Sequence, residues 1–478
     1  MLQGKDNEKK FYYNISLEDL VPQDHFLRHI DRLIDFDFIR SRVKHLYSHT
    51  GKPAVDPVVL FKMLLIGYLY DVKSERQLEK EIQVNLAYRW FIKYDIDERI
   101  PDHSTLSQTR RRKFVGSNLF QEIFDEIVKL CIARGLITGK TIMTDSTYIH
   151  ADASLDSLRE VLITPREFIQ RLDENSEEDK DSDVGNKSEG GGANSTKKYS
   201  NKTHRSKSDP DSRLVSRKGM GPGLFYKEHR SLDSNGYITD VHVTAGNIQD
   251  ADPYINRLKR QRNVFLIPID SVVADRGYGI SHIYKALTDL GIAAYIPEIG
   301  SHKNNEYAYY NNGFIYNKKN DTFQCPAGHI MKRKGGMPRK GGGIKYKAPK
   351  RFCKKTCPLR NECTKSENSV RIVERNIHQE YIDYQIEKKD SPVWKAMLRK
   401  RKTMVEGSFA DAKENHGMRR AKYRGLAKVQ EQSFMTAIVQ NIKKMVKSEQ
   451  AGKRIIEMAN YIIRTTRILW AWGNTNSY

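Results

Sequence analysis

Apolar and polar residues recur along this chain with two different periods, and the change of period divides it. Up to about residue 136 the spacing is helical. In VVLFKMLLIGYLYD (58–71), Leu60, Phe61, Leu64, Leu65 and Leu69 return close to every 3.6 residues. Asp56-Pro57 in front of them supplies a cap and a first-turn proline, a helix-start signal. SERQLEKEIQ, NLAYRWFIK and STLSQTRRRKF predict shorter helices, the last capped by Ser104 or Thr105. SNLFQEIFDEIVKLCIARG (117–135) predicts an amphipathic helix closed by Gly135.

Beyond residue 136 the period becomes that of strands. KTIMTDSTYIHA, GLFYKEHRSLD (223–233) and GYITDVHVTAG (236–246) read as β, the last two joined at Asn235-Gly236 as a hairpin. Helical stretches at 252–262 and 281–290 alternate with the strand-like SVVADRGY and AAYIPE, which points to an α/β layer. Residues 171–213 are acidic, then Gly-rich, then basic, and cannot bury a core; they predict a disordered loop. SPVWKAMLRKRKTMVEGSFADAKENHG predicts a long helix, followed by another over roughly 424–447. The predicted organisation is a helical region (1–136), the first part of an α/β core (137–298), a cysteine-rich basic insertion (299–391), a helical completion of the core (392–450) and a tail (451–478).

Charge then narrows the partners. The 478 residues carry a formal net charge of +23, which makes a phosphate backbone the natural partner through counterion release. A membrane surface is the competing anionic target, but no apolar run approaches the roughly 20 residues that span a bilayer. The start, MLQGKDNEKK, lacks the apolar core of a signal peptide, so an intracellular protein with nucleic acid as its partner is expected. Arg110, Arg111 and Arg112 on one predicted helix are candidates for DNA contact, in a groove or against phosphate.

Three separated acids stand out against this basic background. Asp145 interrupts a strand, Asp275 closes the apolar run Ser271-Val272-Val273-Ala274, and Glu406 lies on a basic helix between Lys402 and Lys413. A carboxylate on a buried strand is costly unless it is paired or bound to a cation. Hard oxygen ligands suit Mg²⁺, so the trio predicts Mg²⁺-dependent work on a polyanion, with Lys413 and Lys402 or Arg401 neutralising phosphate oxygens. His150 and Asp152 read as strand-end polar residues. Turn or helix capping accounts for Asn247 and Asp250.

Four of the five cysteines cluster, as Cys325-Pro-Ala-Gly-His329, Cys353-x₃-Cys357 and Cys363. Four thiolates, with His329 as substitute, suit a structural Zn²⁺, although the spacing is looser than two CxxC pairs. Cys131 falls on the apolar side of its helix and reads as core.

Taken together, VDPVVLFKMLLIGYLYDVKSERQLEKEIQVNLAYRWF, PDHSTLSQTRRR, TDSTYIHADAS, HVTAGNIQDA, ADRGYG, CPAGH, CPLRNECT and VEGSFADAKENHGMRRAKYRGLAKV resemble bacterial insertion-sequence transposases of the DDE class. The subgroup resembled carries a cysteine-rich insertion between its second and third acids, and the likeness covers nearly the whole chain. It implies an RNase H-like mixed-sheet catalytic core with an N-terminal all-α DNA-binding domain. In that core Asp145, Asp275 and Glu406 would hold two divalent cations, Mg²⁺ or Mn²⁺. It further implies cleavage and strand transfer at terminal inverted repeats, action close to the bacterial nucleoid, and a homodimer on DNA. The sequence departs from the pattern on the third-acid helix, where Arg399 and Lys402 stand in place of an expected Tyr and Arg. Two other readings stay open: a nuclease of the same fold without strand transfer, and a catalytically inactive zinc-containing DNA-binding regulator.

Overall fold

The computed structural model describes residues 16–47, 54–114, 117–161, 199–217, 219–298, 313–335, 343–364, 369–389 and 391–475, with backbone alone beyond residue 452. The helical period at the start folds into α1 (Leu17–Leu20), α2 (Phe26–Leu33), α3 (Phe38–Val43), α4 (Pro57–Leu69), α5 (Glu75–Val84), α6 (Leu86–Ile92), α7 (His103–Thr109) and α8 (Leu119–Ala133). Asp56 caps α4 by accepting from the Val58 N–H, with Pro57 in the first turn, as its sequence predicts. Helix α4 is apolar on every side and is buried on nearly every side; its one lysine, Lys62, survives burial by donating to Asp31 at 2.7 Å. The cap of α7 is Asp102, which accepts from Thr105 N–H, rather than Ser104 or Thr105. Gly135 closes α8 at φ +68°, a left-handed position that glycine adopts without a Cβ clash.

The strand period builds a six-stranded mixed sheet from β1 (Thr141–His150), β4 (Arg213–Arg217), β5 (Met220–Asp233), β6 (Ile238–Ala245), β7 (Ser271–Val273) and β8 (Ala293–Tyr295). Strands β1, β5 and β6 form an antiparallel meander, β6 following β5 through the turn at Gly236 (φ +79°). Strands β7 and β8 then add in parallel on the other side of β1, giving the order β4-β5-β1-β7-β8, with β6 also paired to β5. Two short strands, β2 (Leu158–Glu160) and β3 (His204–Ser206), form a separate ladder.

That ladder corrects the expected disorder over 171–213. Residues 171–198 lie outside the described residues, but 199–213 include β3 and the start of β4, with Asp209 fully buried. Tyr226 donates its hydroxyl to Asp209 at 2.5 Å, and Gly425 N–H also donates to it. Polar composition here reflects paired polar groups rather than a lack of structure.

Helices α9 (Ala251–Phe265) and α10 (Ser281–Asp289) follow the α/β alternation. The cysteine-rich segment makes its own antiparallel meander, β9 (Ile315–Asn317), β10 (Thr322–Gln324), β11 (Ile330–Lys334), β12 (Ile344–Lys347) and β13 (Ile372–Arg375), with α11 (Lys350–Lys355) and α12 (Arg360–Cys363). It has a small core of its own around Phe323, Met331, Tyr346 and Cys353. Helix α13 (Gln379–Lys388) returns to pack on α10.

The chain closes with α14 (Pro392–Asn415) and α15 (Leu426–Thr475). Helix α14 lies over β1 and β5, and α15 packs on β6 and on α8, α4 and α2. The backbone stays helical past residue 450, so the expected tail at 451 is not a break in structure. Through α15 the N-terminal helices and the sheet share one apolar core, which joins Phe61, Phe124, Val272 and Ile438. Among the described residues no helix is long and apolar enough to cross a membrane.

Candidate active site

Strands β1 and β7 run parallel with Met143 opposite Val273. Asp145 and Asp275 each stand two residues beyond that pair. Asp145 is still within β1, whereas Asp275 lies past the end of β7, and its charge reaches the Asp145 carboxyl. Strand β7 stops at Val273, and Asp275 then turns the chain by accepting the Gly277 N–H at 2.8 Å.

The face carrying Asp145 is covered by α14. Arg401 donates to Asp145 Oδ2 at 2.6 Å, and both side chains are largely shielded. Burial pushes the Asp145 carboxyl above its ordinary range, the Arg401 guanidinium and the Ser146 N–H pull it back, and the nearby Asp275 charge pushes it up again. Arg230, the partner of Asp145 across the β1–β5 ladder, is fully buried. It donates to Glu228 Oε1 at 2.7 Å, to Ser408 Oγ at 2.7 Å and to Gln440 Oε1 at 2.8 Å, tying α14 and α15 to the sheet.

On the opposite face, Asp250 at the start of α9 accepts from Ser146 Oγ at 2.7 Å and from Lys227 Nζ at 2.9 Å, both on Oδ1. Burial alone would raise the Asp250 carboxyl; the Ser146 hydroxyl and Lys227 outweigh it and hold the carboxyl low. Sequence reasoning took Asp250 for a cap or turn residue, yet its side chain caps no N–H of α9. Tyr278, in the Asp-Arg-Gly-Tyr turn, is likewise a residue that sequence reasoning passed over. It is buried, and burial, followed by the charges of Asp250 and Asp145, drives its phenol well above its usual range.

Glu406 is exposed on α14, on the flank shared with Lys402 and Lys413 rather than the face that carries Arg401 and Val405. The structure thus sets Asp145 and Asp275 within electrostatic reach of each other and leaves Glu406 facing solvent. Among the described residues, no three His, Cys, Asp or Glu side chains are gathered closely enough to hold a metal ion. Lys413 is half-buried, and burial holds its ammonium below the usual range, with Glu228 and Arg230 within electrostatic reach. His150 stacks on Phe225 with ring centroids 4.3 Å apart, and Asp152 pairs with Arg424 at 3.0 Å, so both serve packing and tethering.

The basic helix is divided by burial. Arg110 turns inward, pairs with Glu75 at 3.1 Å and Glu431 at 3.5 Å, and stacks on Tyr423. That takes it out of the expected DNA-contacting set, whereas Arg111 and Arg112 stay exposed. In the insertion, Cys325, Cys353, Cys357 and Cys363 line one small cavity together with His329 and Arg371. Burial raises the Cys363 thiol; Arg371 opposes this and the other three sulfurs add to it. Cys131 is buried in the main core.

Two family models match the chain. One described as a transposase domain (DUF772) matches residues 15–112, and one described as a transposase DDE domain matches residues 324–446. The second span includes the cysteine cluster, Glu406 and Lys413. No curated protein sequence matches the chain. Among solved structures, a pre-cleavage Mos1 transpososome is similar at 10% identity over 52% of this chain and 61% of its own, with a TM-score of 0.16. A Mos1 transposase paired-end complex with left transposon end shares 11% identity over 52% and 61%, also at 0.16. A Mos1 mariner paired-end complex with Mn shares 12% over 56% and 65%, at 0.15. The chain spans less than two thirds of each of these.

Proposed function

Both matched stretches are transposase domains, and from that premise we propose that the protein binds the terminal inverted repeats of its own element and cuts and rejoins DNA there. The observation that carries this reading is that Asp145, within β1, and Asp275, just past the end of the parallel neighbour β7, lie within electrostatic reach of each other. The antiparallel β1, β5 and β6, extended by the parallel β7 and β8 on the other side of β1, support an RNase H-like core for that pair. The donor set fits a hard divalent cation. Asp145 is a buried carboxylate pressed by a second one, and it already draws a guanidinium onto itself.

Asp145 and Asp275 would hold Mg²⁺ or Mn²⁺, with Glu406 completing the set when DNA is engaged. Two such ions, when bound, would stabilise the attacking and leaving oxygens of phosphoryl transfer. The protein's own groups orient and neutralise the substrate: Lys402, Lys413 and Arg401 face the phosphate beside the acids, and Arg111 and Arg112 hold DNA away from them. Working on two ends at once, the chain would act as a homodimer on double-stranded DNA in the bacterial cytoplasm. The cysteine cluster would fold around a structural Zn²⁺.

The test is incubation of the purified protein with a labelled terminal repeat and a plasmid target in Mg²⁺. Transposition predicts joined product. Cleavage alone would make the protein a nuclease, and binding alone a regulator. Asp145→Ala, Asp275→Ala and Glu406→Ala should each abolish cleavage and spare DNA binding; full cleavage by any one of them removes that residue from the site.

A further inference from the structure

Helices α14 and α15 meet the turn between β5 and β6 along an open groove of about 700 Å³. From α14, Met404, Gly407, Ser408 and Asp411 line it as one stripe, at i, i+3, i+4 and i+7. Lys402, Glu406 and Lys413 form a second stripe roughly half a turn round the same helix, since each residue advances it by roughly 100°. The groove and the flank that carries Glu406 are therefore opposite sides of α14.

The neutral polar groups of the groove are already committed. Gln440 bonds Arg230, the Ser408 carbonyl and Asp411, while Asn441 bonds both backbone groups of Ile238. Ser448 pairs with the Tyr237 hydroxyl, and Ser408 Oγ accepts from Arg230. The carboxylate on the far wall, Asp411, is held by Gln440 and Asn415. What remains is three ammonium groups on α15, those of Lys443, Lys444 and Lys447, which make no ion pair among the described residues. Lys443 and Lys444 are half-buried and Lys447 stands one turn beyond them, so like charges crowd one wall until an anion joins them. Lys444 is held in place over the Tyr237 ring, 5.0 Å from its centroid, and across Gly236, where a Cβ would stand 2.5 Å from the Nζ.

A second observation comes from Gly407. Glycine weakens a helix interior relative to alanine, yet Gly407 lies well inside α14, where an added Cβ would meet no atom within 4 Å. Packing within the chain does not call for it. The absent side chain leaves bare helix on the groove wall, which suits a ligand that approaches the backbone closely.

We propose that this groove holds the phosphate backbone of target DNA, on a track separated by α14 from the DNA at the acids. The proposal rests on the strand-transfer reading above and gives the target a place in it. Ammonium groups grip phosphates without reading bases, and the amide and hydroxyl groups that could read them are occupied. A terminal repeat has to be told apart by sequence, whereas a target of any sequence fits such a groove.

Binding of the full chain to a labelled DNA duplex that lacks the terminal repeat, measured over a range of salt, tests this. Combining Lys443→Gln, Lys444→Gln and Lys447→Gln should lower the slope of log K against log salt by about three, since each phosphate contact contributes about 0.9. Gly407→Glu keeps the lysines and sets a carboxylate where phosphate would lie, so it should weaken binding about tenfold. Both variants should still cut a labelled terminal repeat but lose joining to a plasmid. An unchanged slope overturns the groove, and so does loss of cleavage together with joining, which would make the two tracks one. A slope lowered for an RNA duplex of the same length but not for DNA overturns the assignment to DNA. If the wild type itself never joins, the strand-transfer reading fails and the target assignment with it, while the slope still judges the groove. Should the triple variant fail to fold by circular dichroism, Gly407→Glu decides alone, and wild-type affinity there overturns the proposal.

Discussion

Arg401 and Asp145, 256 residues apart in sequence, are joined by a 2.6 Å ion pair on the shielded face of the sheet. The guanidinium sits where the catalytic reading needs positive charge, and it lies on the same helix as Glu406. Its removal has a defined sign. Arg401 lowers a carboxyl that burial has raised, so Arg401→Gln should let Asp145 titrate still higher. A protonated carboxyl is a poor cation ligand. The acid limb of the pH–rate profile for strand cleavage is therefore expected to move to higher pH, by about one unit. A limb that stays in place or moves down would show that Asp145 does not govern it.

Glu431 gives a second pH effect, remote from the site. Burial raises its carboxyl to about 7 from 4.5, against the opposing pull of Arg110. The folded protein thus keeps a proton that the unfolded chain gives up near the ordinary value. Stability should fall as pH rises from about 4.5 through about 7 and stay lower above it, by on the order of 3 kcal/mol. Urea unfolding of the wild type and of Glu431→Gln at pH 5 and pH 8 checks this. The variant should lose most of that slope, and an equal slope in both would assign it elsewhere.

Arg230 links three elements through a fully buried fork. Arg230→Met leaves Glu228 buried without its partner, which should cost about 3–5 kcal/mol in chemical denaturation. The double variant with Glu228→Gln should recover part of the loss, because the stranded charge is gone. Arg230→Lys should not rescue, since one ammonium cannot reach Glu228, Ser408 and Gln440 together.

The cysteine cavity makes a prediction about composition rather than rate. Protein purified without chelator should carry about one zinc per chain, and Cys357→Ser should lower both zinc content and melting temperature. A zinc-free preparation that melts like the wild type would leave the four thiols as packing groups.

Features governed by neighbours in the chain were legible beforehand. The Asp56-Pro57 start of α4, the Asn235-Gly236 hairpin and the helix carrying Glu406 all appear where periodicity and turn chemistry put them. Each depends on a few adjacent residues, whose caps and backbone preferences travel with the sequence. Residues 199–213 misled for the converse reason: their polarity is satisfied by Tyr226 and Gly425, which composition cannot reveal. Arg110 was indistinguishable from Arg111 and Arg112 until Glu75 and Glu431 closed around it.

The sequence by itself determined that this is a basic mixed α/β chain with one acid within a strand, one at a strand end and a third on a late helix. Only the tertiary structure decided that Arg401 reaches Asp145, that Asp275 lies within electrostatic reach of it, that Asp250 binds Ser146 and Lys227, and that Glu406 faces solvent. The first kind of fact follows from short-range backbone geometry. The second depends on parallel register and on packing between residues more than a hundred positions apart, and no local pattern encodes which distant charge will arrive.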